Sequence, residues 1–102
     1  MARFNFSRVP RRDDQNAALV VQKNLEDLMN SKLKPVLYYP SAKPRLNDPL
    51  NHMVVNQNMI EAVPLVVDET AHPFFYPYVI RRNDPNAALI LQRNLEALVL
   101  VL

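Results

Sequence analysis

The feature that most constrains this chain is a passage written twice. Residues 79–99, VIRRNDPNAALILQRNLEALV, restate residues 9–29, VPRRDDQNAALVVQKNLEDLM, with 13 of 21 positions identical at an offset of 70. Five more pair like with like: Asp13 with Asn83, Val20 with Ile90, Val21 with Leu91, Lys23 with Arg93 and Met29 with Val99. A worn third copy lies between them, aligned 34 residues after the first and 36 before the last. It superposes Arg11, Arg45 and Arg81; Asp14, Asp48 and Asp84; and Asn24, Asn58 and Asn94. Apolar residues coincide at Leu19, Met53 and Leu89, and again at Leu25, Met59 and Leu95. A fixed period of this size marks supersecondary units that cannot bury their apolar faces alone and must pack on one another. The expectation is a single small domain of three tandem repeats, about 1–34, 35–68 and 69–102, behind an extended basic N-terminal arm, 1–13.

Each repeat carries the start signal of a helix. Asp14, Asp48 and Asp84 have the character of N-caps, whose carboxylates accept from the free amides of the first turn and favour the positive pole of the helix dipole. Asp48 and Asp84 are followed by proline, which loses nothing at the first helical position because its missing N–H has no partner there. Apolar residues then recur at alternating three- and four-residue spacing. The seams are Ala18, Val21, Leu25 and Leu28; His52, Val55, Met59 and Ala62; and Ala88, Leu91, Leu95 and Leu98. This spacing predicts helices over about Gln15–Met29, within the proline-free window Leu50–Val63, and from Asn86 toward Leu102, with residues 98–102 read as helix in preference to strand. The fold class is mainly α: three short capped helices joined by extended arms rich in proline and aromatic residues. Val36–Tyr39 and Leu65–Val67 are candidate edge strands, where terminal proline is tolerated.

Glycine is absent from the chain while nine prolines punctuate it. Phosphate-cradling loops, dinucleotide fingerprints and nucleophile elbows need glycine where backbone approaches a ligand or takes positive φ, so none is written here. With no cysteine, thiolate metal sites and disulfides are excluded as well. Neither cofactor nor metal is expected. The sequence Asp68, Glu69 and His72 places carboxylate and imidazole three apart, but the motif is single and abuts Pro73, so a solvated loop is the better reading. His52 stands where the outer repeats have alanine and is read as a core-edge histidine. No apolar run approaches the roughly 20 residues of a membrane span, and the chain opens without an apolar signal core. The expected location is intracellular, in cytoplasm or nucleus or within a virus particle.

The net charge of +2 conceals an asymmetry: residues 1–45 sum to +5 and residues 46–102 to −3. Two copies should therefore attract head to tail. Arg11, Arg12, Arg45, Arg81 and Arg82 are the candidate charge contacts. Lying at the unfavourable pole of a helix dipole, they are expected to pair with acids such as the capping aspartates, with phosphate contact as the second reading. The recurring Asn24, Asn58 and Asn94 are mediocre helix formers. They are either inherited at exposed positions or hydrogen-bonded to the backbone of an arm laid across the helix.

All eight aromatic residues lie in the arms and linkers: Phe4, Phe6, Tyr38, Tyr39, Phe74, Phe75, Tyr76 and Tyr78. Aromatic side chains on pre-extended proline segments are candidate interface anchors. The function read from these features is that of a non-enzymatic structural protein, bridging subunits of a larger oligomeric assembly and associating with itself, such as a minor capsid, cement or scaffold component of a virus particle. The alternative is a small basic nucleic-acid-associated protein, gripping phosphates with its N-terminal arm and arginine pairs.

Overall fold

A computed structural model describes residues 6, 8–33, 38–40, 42–67 and 80–101. They form three helices, α1 (Ala17–Lys32), α2 (Asn51–Val66) and α3 (Ala87–Val101), with no strand among the described residues. The architecture is mainly α.

The same local device precedes each helix. Oδ1 of Asp14, Asp48 and Asp84 accepts the backbone N–H two residues on, from Asn16, Leu50 and Asn86, at 2.9 Å in each case. The carbonyl of the same aspartate accepts the N–H three residues on, from Ala17, Asn51 and Ala87, at 3.1–3.2 Å. That tight i→i+3 turn precedes the α-helical ladder, so the helices begin at Ala17 and not at Gln15, at Asn51 and at Ala87. The N-cap positions of α1 and α2 are Asn16 and Leu50, neither with a side-chain cap bond. The expectation of Asp14, Asp48 and Asp84 as N-caps, with Pro49 and Pro85 at the first helical position, is corrected, because the aspartates close the turn that leads into each helix. Just ahead of the aspartates, Asp13 and Asn47 hold φ of 64° and 62°. In a chain without glycine, the left-handed conformation falls to Asp and Asn, the side chains that tolerate it best.

The apolar seams explain the packing. All twelve seam residues are buried, nine of them with no exposed surface. Each fully buried Leu, Val or Met contributes about 1.5–3 kcal/mol, far more than helix propensity offers to segments this short. The three N-terminal ends line one cavity, so the helices run parallel. Parallel neighbours need a return segment as long as a helix. A 16-residue helix spans about 24 Å, which roughly eight extended residues cover; residues 33–50 and 67–86 are ample. The return before α2 lies back along the helices, since Tyr38 N–H is held by Asn30 of α1 and the Ala42 carbonyl by Asn58 of α2.

Three further expectations need correction. Leu65 and Val66 are helical, and Val67 follows them as the C-cap, so Leu65–Val67 is not a strand. Pro64 lies inside the last turn of α2, where proline costs about 3 kcal/mol in a full helix interior. Here its ring faces solvent and only the bond to the Ile60 carbonyl is lost. Val63 and Val67 are buried, and Val67 N–H reaches the Val63 carbonyl at 2.9 Å, which holds the turn. Tyr38 and Tyr39 are outside any strand; Tyr38 spends its N–H on the Asn30 side chain at 2.7 Å. Val36 and Leu37 lie outside the described residues. At the carboxyl end, α3 runs through Val101.

Candidate functional site

Where the helix ends converge, aligned positions of the three segments contribute in turn. Two amide bonds join segment to segment at this end. Asn47 N–H donates to Asn16 Oδ1, and Asp13 N–H donates to Asn86 Oδ1, both at 2.8 Å. The residue aligned with Asn16 and Asn86 is Leu50, whose side chain has no acceptor for a third such bond. Around the first joint, Gln15 Nε2 and Asn16 Nδ2 also donate to Asn47 Oδ1, at 2.6 and 3.2 Å. Asn51 Nδ2 reaches the carbonyls of Gln15 and Arg45.

Two turns further along the helices the pattern recurs with side chains alone. Asn24 Nδ2 donates to Gln92 Oε1 at 2.9 Å, and Asn58 Nδ2 donates to Gln22 Oε1 at 3.0 Å. The same nitrogens grip the arms, Asn24 at the Arg8 carbonyl (3.0 Å) and Asn58 at the Ala42 carbonyl (2.8 Å), each 16 residues upstream. Of the two readings of these asparagines, the arm-binding one describes Asn24 and Asn58, and all three of Asn24, Asn58 and Asn94 are buried. The two backbone-to-asparagine bonds and the two asparagine-to-glutamine bonds run in the same sense, from the second segment to the first and from the first to the third, while Gln15 and Asn16 donate the other way, to Asn47. Asn16, Asn86, Gln22 and Gln92 went unremarked in the sequence reading, although each sits at an identical position of the two strong copies.

Ala18, His52 and Ala88 line the cavity of about 760 Å³ between the helix ends, together with Asp13, Asp14, Asn47, Asn83, Asp84 and Arg82. His52 is 5% exposed, and its Nε2 has no hydrogen-bond partner among the described residues. A buried polar atom left unpaired costs about 1–3 kcal/mol, whereas alanine at this position carries no such burden in α1 and α3. No three acidic or histidine side chains of the described residues gather as a metal-ligand set.

Arg11, Arg12, Arg45, Arg81 and Arg82 are exposed, and none makes an ion pair with a described residue. The expected pairing with the capping aspartates is thus not made, because Asp14, Asp48 and Asp84 fold their carboxylates back onto their own backbone amides. Instead the Arg11, Arg45 and Arg81 carbonyls receive the aspartate N–H groups at 3.4 Å. Arg8 pairs with Asp27 at 2.9 Å, but both side chains are nearly half exposed, where such a pair contributes about 0–1 kcal/mol.

Among the aromatic candidates, Phe6 and Tyr38 are partly buried against the core of this same chain, while Tyr39 is 76% exposed. Burial pushes the Tyr38 hydroxyl above its ordinary range, and the charges of Glu26 and Glu61 push it the same way. Phe4, Phe74, Phe75, Tyr76 and Tyr78 lie outside the described residues, as do Asp68, Glu69 and His72. No helix among the described residues is long and apolar enough to cross a membrane. No protein-family model, curated protein or solved structure matches the chain.

Proposed function

We propose that the chain is a non-enzymatic assembly protein: a single domain of three tandem repeats set around one axis, bridging subunits of a larger oligomeric assembly such as a virus particle. The observation that carries this reading is the recurrence, at offsets of 34 and 36, of one turn closed by an aspartate, one buried seam and one buried asparagine, which in the first two segments grips an arm. Bonds between segments that run in the same rotational sense are those expected of a covalent counterpart to a parallel trimer. Such a body offers related faces about an axis, which suits a place among symmetric subunits. Aromatic arms that leave Tyr39 exposed, and a charge split of +5 against −3, supply contacts between copies or toward neighbours.

Sedimentation velocity of the purified chain over a range of concentration and salt tests the proposal. Association that grows with concentration and weakens with salt supports it; a monomer under every condition contradicts it. A second reading rests on the five exposed arginines that make no ion pair with a described residue, which suit phosphate contacts. It predicts nucleic acid retained on purification at low salt and lost steeply as salt rises.

A further inference from the structure

The outer face of α2 departs from those of its neighbours. Where α1 carries Lys23 and Glu26 and α3 carries Arg93 and Glu96, the aligned residues of α2 are Gln57 and Ile60. Met53, Gln57, Ile60 and Pro64 follow at spacings of four, three and four, and all are exposed, Met53 at 37% and Ile60 at 42%. At about 100° of turn per residue this stripe lies opposite the buried seam of α2, and its spacing is that of a helix-packing seam. Glu61 is the one Asp, Glu, Lys or Arg among the 16 residues of the helix. Single apolar residues on a surface are ordinary, but a helix with apolar stripes on two opposite faces is suited to being covered on both.

Two polar groups on the stripe match each other. Pro64 has no N–H, so the Ile60 carbonyl lacks its helical donor. The exposed Gln57 makes no hydrogen bond to a described residue. Within one helix the two cannot meet, because side chains lean toward the N-terminus and Gln57 precedes Ile60.

We propose that a second copy of this chain docks on this stripe, α2 against α2, antiparallel about a two-fold axis. The proposal rests on the assembly reading and names one contact of it. Met53 and Pro64 each stand two residues inside an end of Asn51–Val66, so the stripe is centred on the helix. Antiparallel pairing therefore sets Met53 against the partner's Pro64 and Gln57 against the partner's Ile60, where the amide donates to the freed carbonyl. Charge selects both the occupant and the direction. The stripe offers nothing to a charged partner and meets itself without repulsion. The last turn of α2 holds no basic residue, which leaves its carbonyl pole uncompensated, and the antiparallel copy brings the partner's Arg45 toward that pole. A parallel copy instead sets the exposed arginines ahead of the helices side by side. Four side chains from each copy make a small contact, of the weak and reversible class.

Sedimentation equilibrium of the full chain, from micromolar to millimolar concentration in about 0.5 M salt, reads this contact apart from charge-driven association, which is screened there. A monomer–dimer equilibrium is expected. Ile60→Glu and Gln57→Lys each install the residue found at the aligned position of α1, so helical circular dichroism should persist, and each should weaken dimerisation about tenfold. Val9→Glu, which places a charge on an exposed apolar residue of the arm, should leave it unchanged. Combining Gln57→Lys with Ile60→Glu pairs opposite charges across the antiparallel contact, so at low salt the double variant should dimerise at least threefold more tightly than Ile60→Glu alone. A chain that stays monomeric in high salt leaves the stripe to some other protein's helix and overturns the proposal. Folded single variants that dimerise like the parent, or a double variant that recovers nothing, overturn it too; association at low salt in any of these cases still upholds the assembly reading. A monomer under every condition overturns both.

Discussion

Asn58 on α2 donates to Gln22 on α1 at 3.0 Å and, through the same nitrogen, to the Ala42 carbonyl at 2.8 Å. One buried amide therefore fixes the register of two helices and the path of the chain that returns between them. Asn24 does the same for Gln92 and Arg8. Neither asparagine is used to fill space. Each sits beside a seam whose apolar side chains would tolerate sliding, since dispersion and burial are not directional, and supplies the direction the seam lacks.

Asn58→Ala should therefore cost about 1–3 kcal/mol, the penalty for leaving the buried Gln22 Oε1 unpaired, while the Ala42 carbonyl, on an exposed residue, turns to solvent. Asn24→Ala should cost about the same by the same argument. A double-mutant cycle on Asn58 and Gln22, read from urea unfolding, should return a coupling of about 0.5–3 kcal/mol. A coupling near zero would mean the amides are spectators.

At Asn47 the backbone is left-handed and its N–H is held by Asn16. Asn47→Val should destabilise by about 1–2 kcal/mol, the strain of a β-branched residue in that region. Asn47→Gly keeps the backbone conformation and loses only the bonds that Asn47 Oδ1 accepts from Gln15 and Asn16, so it should cost less than Asn47→Val. Thermal unfolding of the two variants checks the pair, and equal losses in both would remove the conformational explanation.

The capped turns make a related prediction. Asp14→Ala or Asp84→Ala should lower stability by about 0.5–2 kcal/mol, measured by denaturant unfolding. No effect from either would show that the bonds to the Asn16 and Asn86 amides are not needed.

Tyr38 gives a pH signature. Its hydroxyl is raised above the ordinary value of 10.0 by burial and by Glu26 and Glu61. A raised folded-state value means the fold favours the neutral phenol, so the associated stability is present below pH 10 and is lost as pH climbs through the folded value. Tyr38→Phe should remove that alkaline loss. A carbon-13 titration placing Tyr38 below 10 would contradict the assignment.

The seams were legible in the sequence because burial follows helical spacing: Val21, Leu25 and Leu28 recur three and four apart and are all fully buried. The aspartates were legible as turn formers, because a carboxylate closing on the amide two residues on is local chemistry, but the helices begin three residues after them. Other features depend on neighbours distant in sequence. Whether Pro64 ends a helix depends on what Val63 and Val67 pack against, and their burial carries α2 through it. The arginines were matched to neighbouring acids such as Asp14, Asp48 and Asp84 by the helix-dipole argument, but those carboxylates turn onto amides of their own turns. His52 was legible as a seam residue, but the cavity it lines exists only because the three helices run parallel, which no spacing within one helix reveals.

That parallel arrangement is the central claim, and distances between spin labels test it most directly. Arg12, Leu46 and Arg82 are aligned, exposed residues just ahead of α1, α2 and α3, and the absence of cysteine lets labels be placed there in pairs. Parallel helices around one axis predict three similar distances, all within one end of the bundle. An antiparallel helix would carry one label about 24 Å along the axis, the length of a 16-residue helix, and two of the three distances lengthened to that degree would contradict the account.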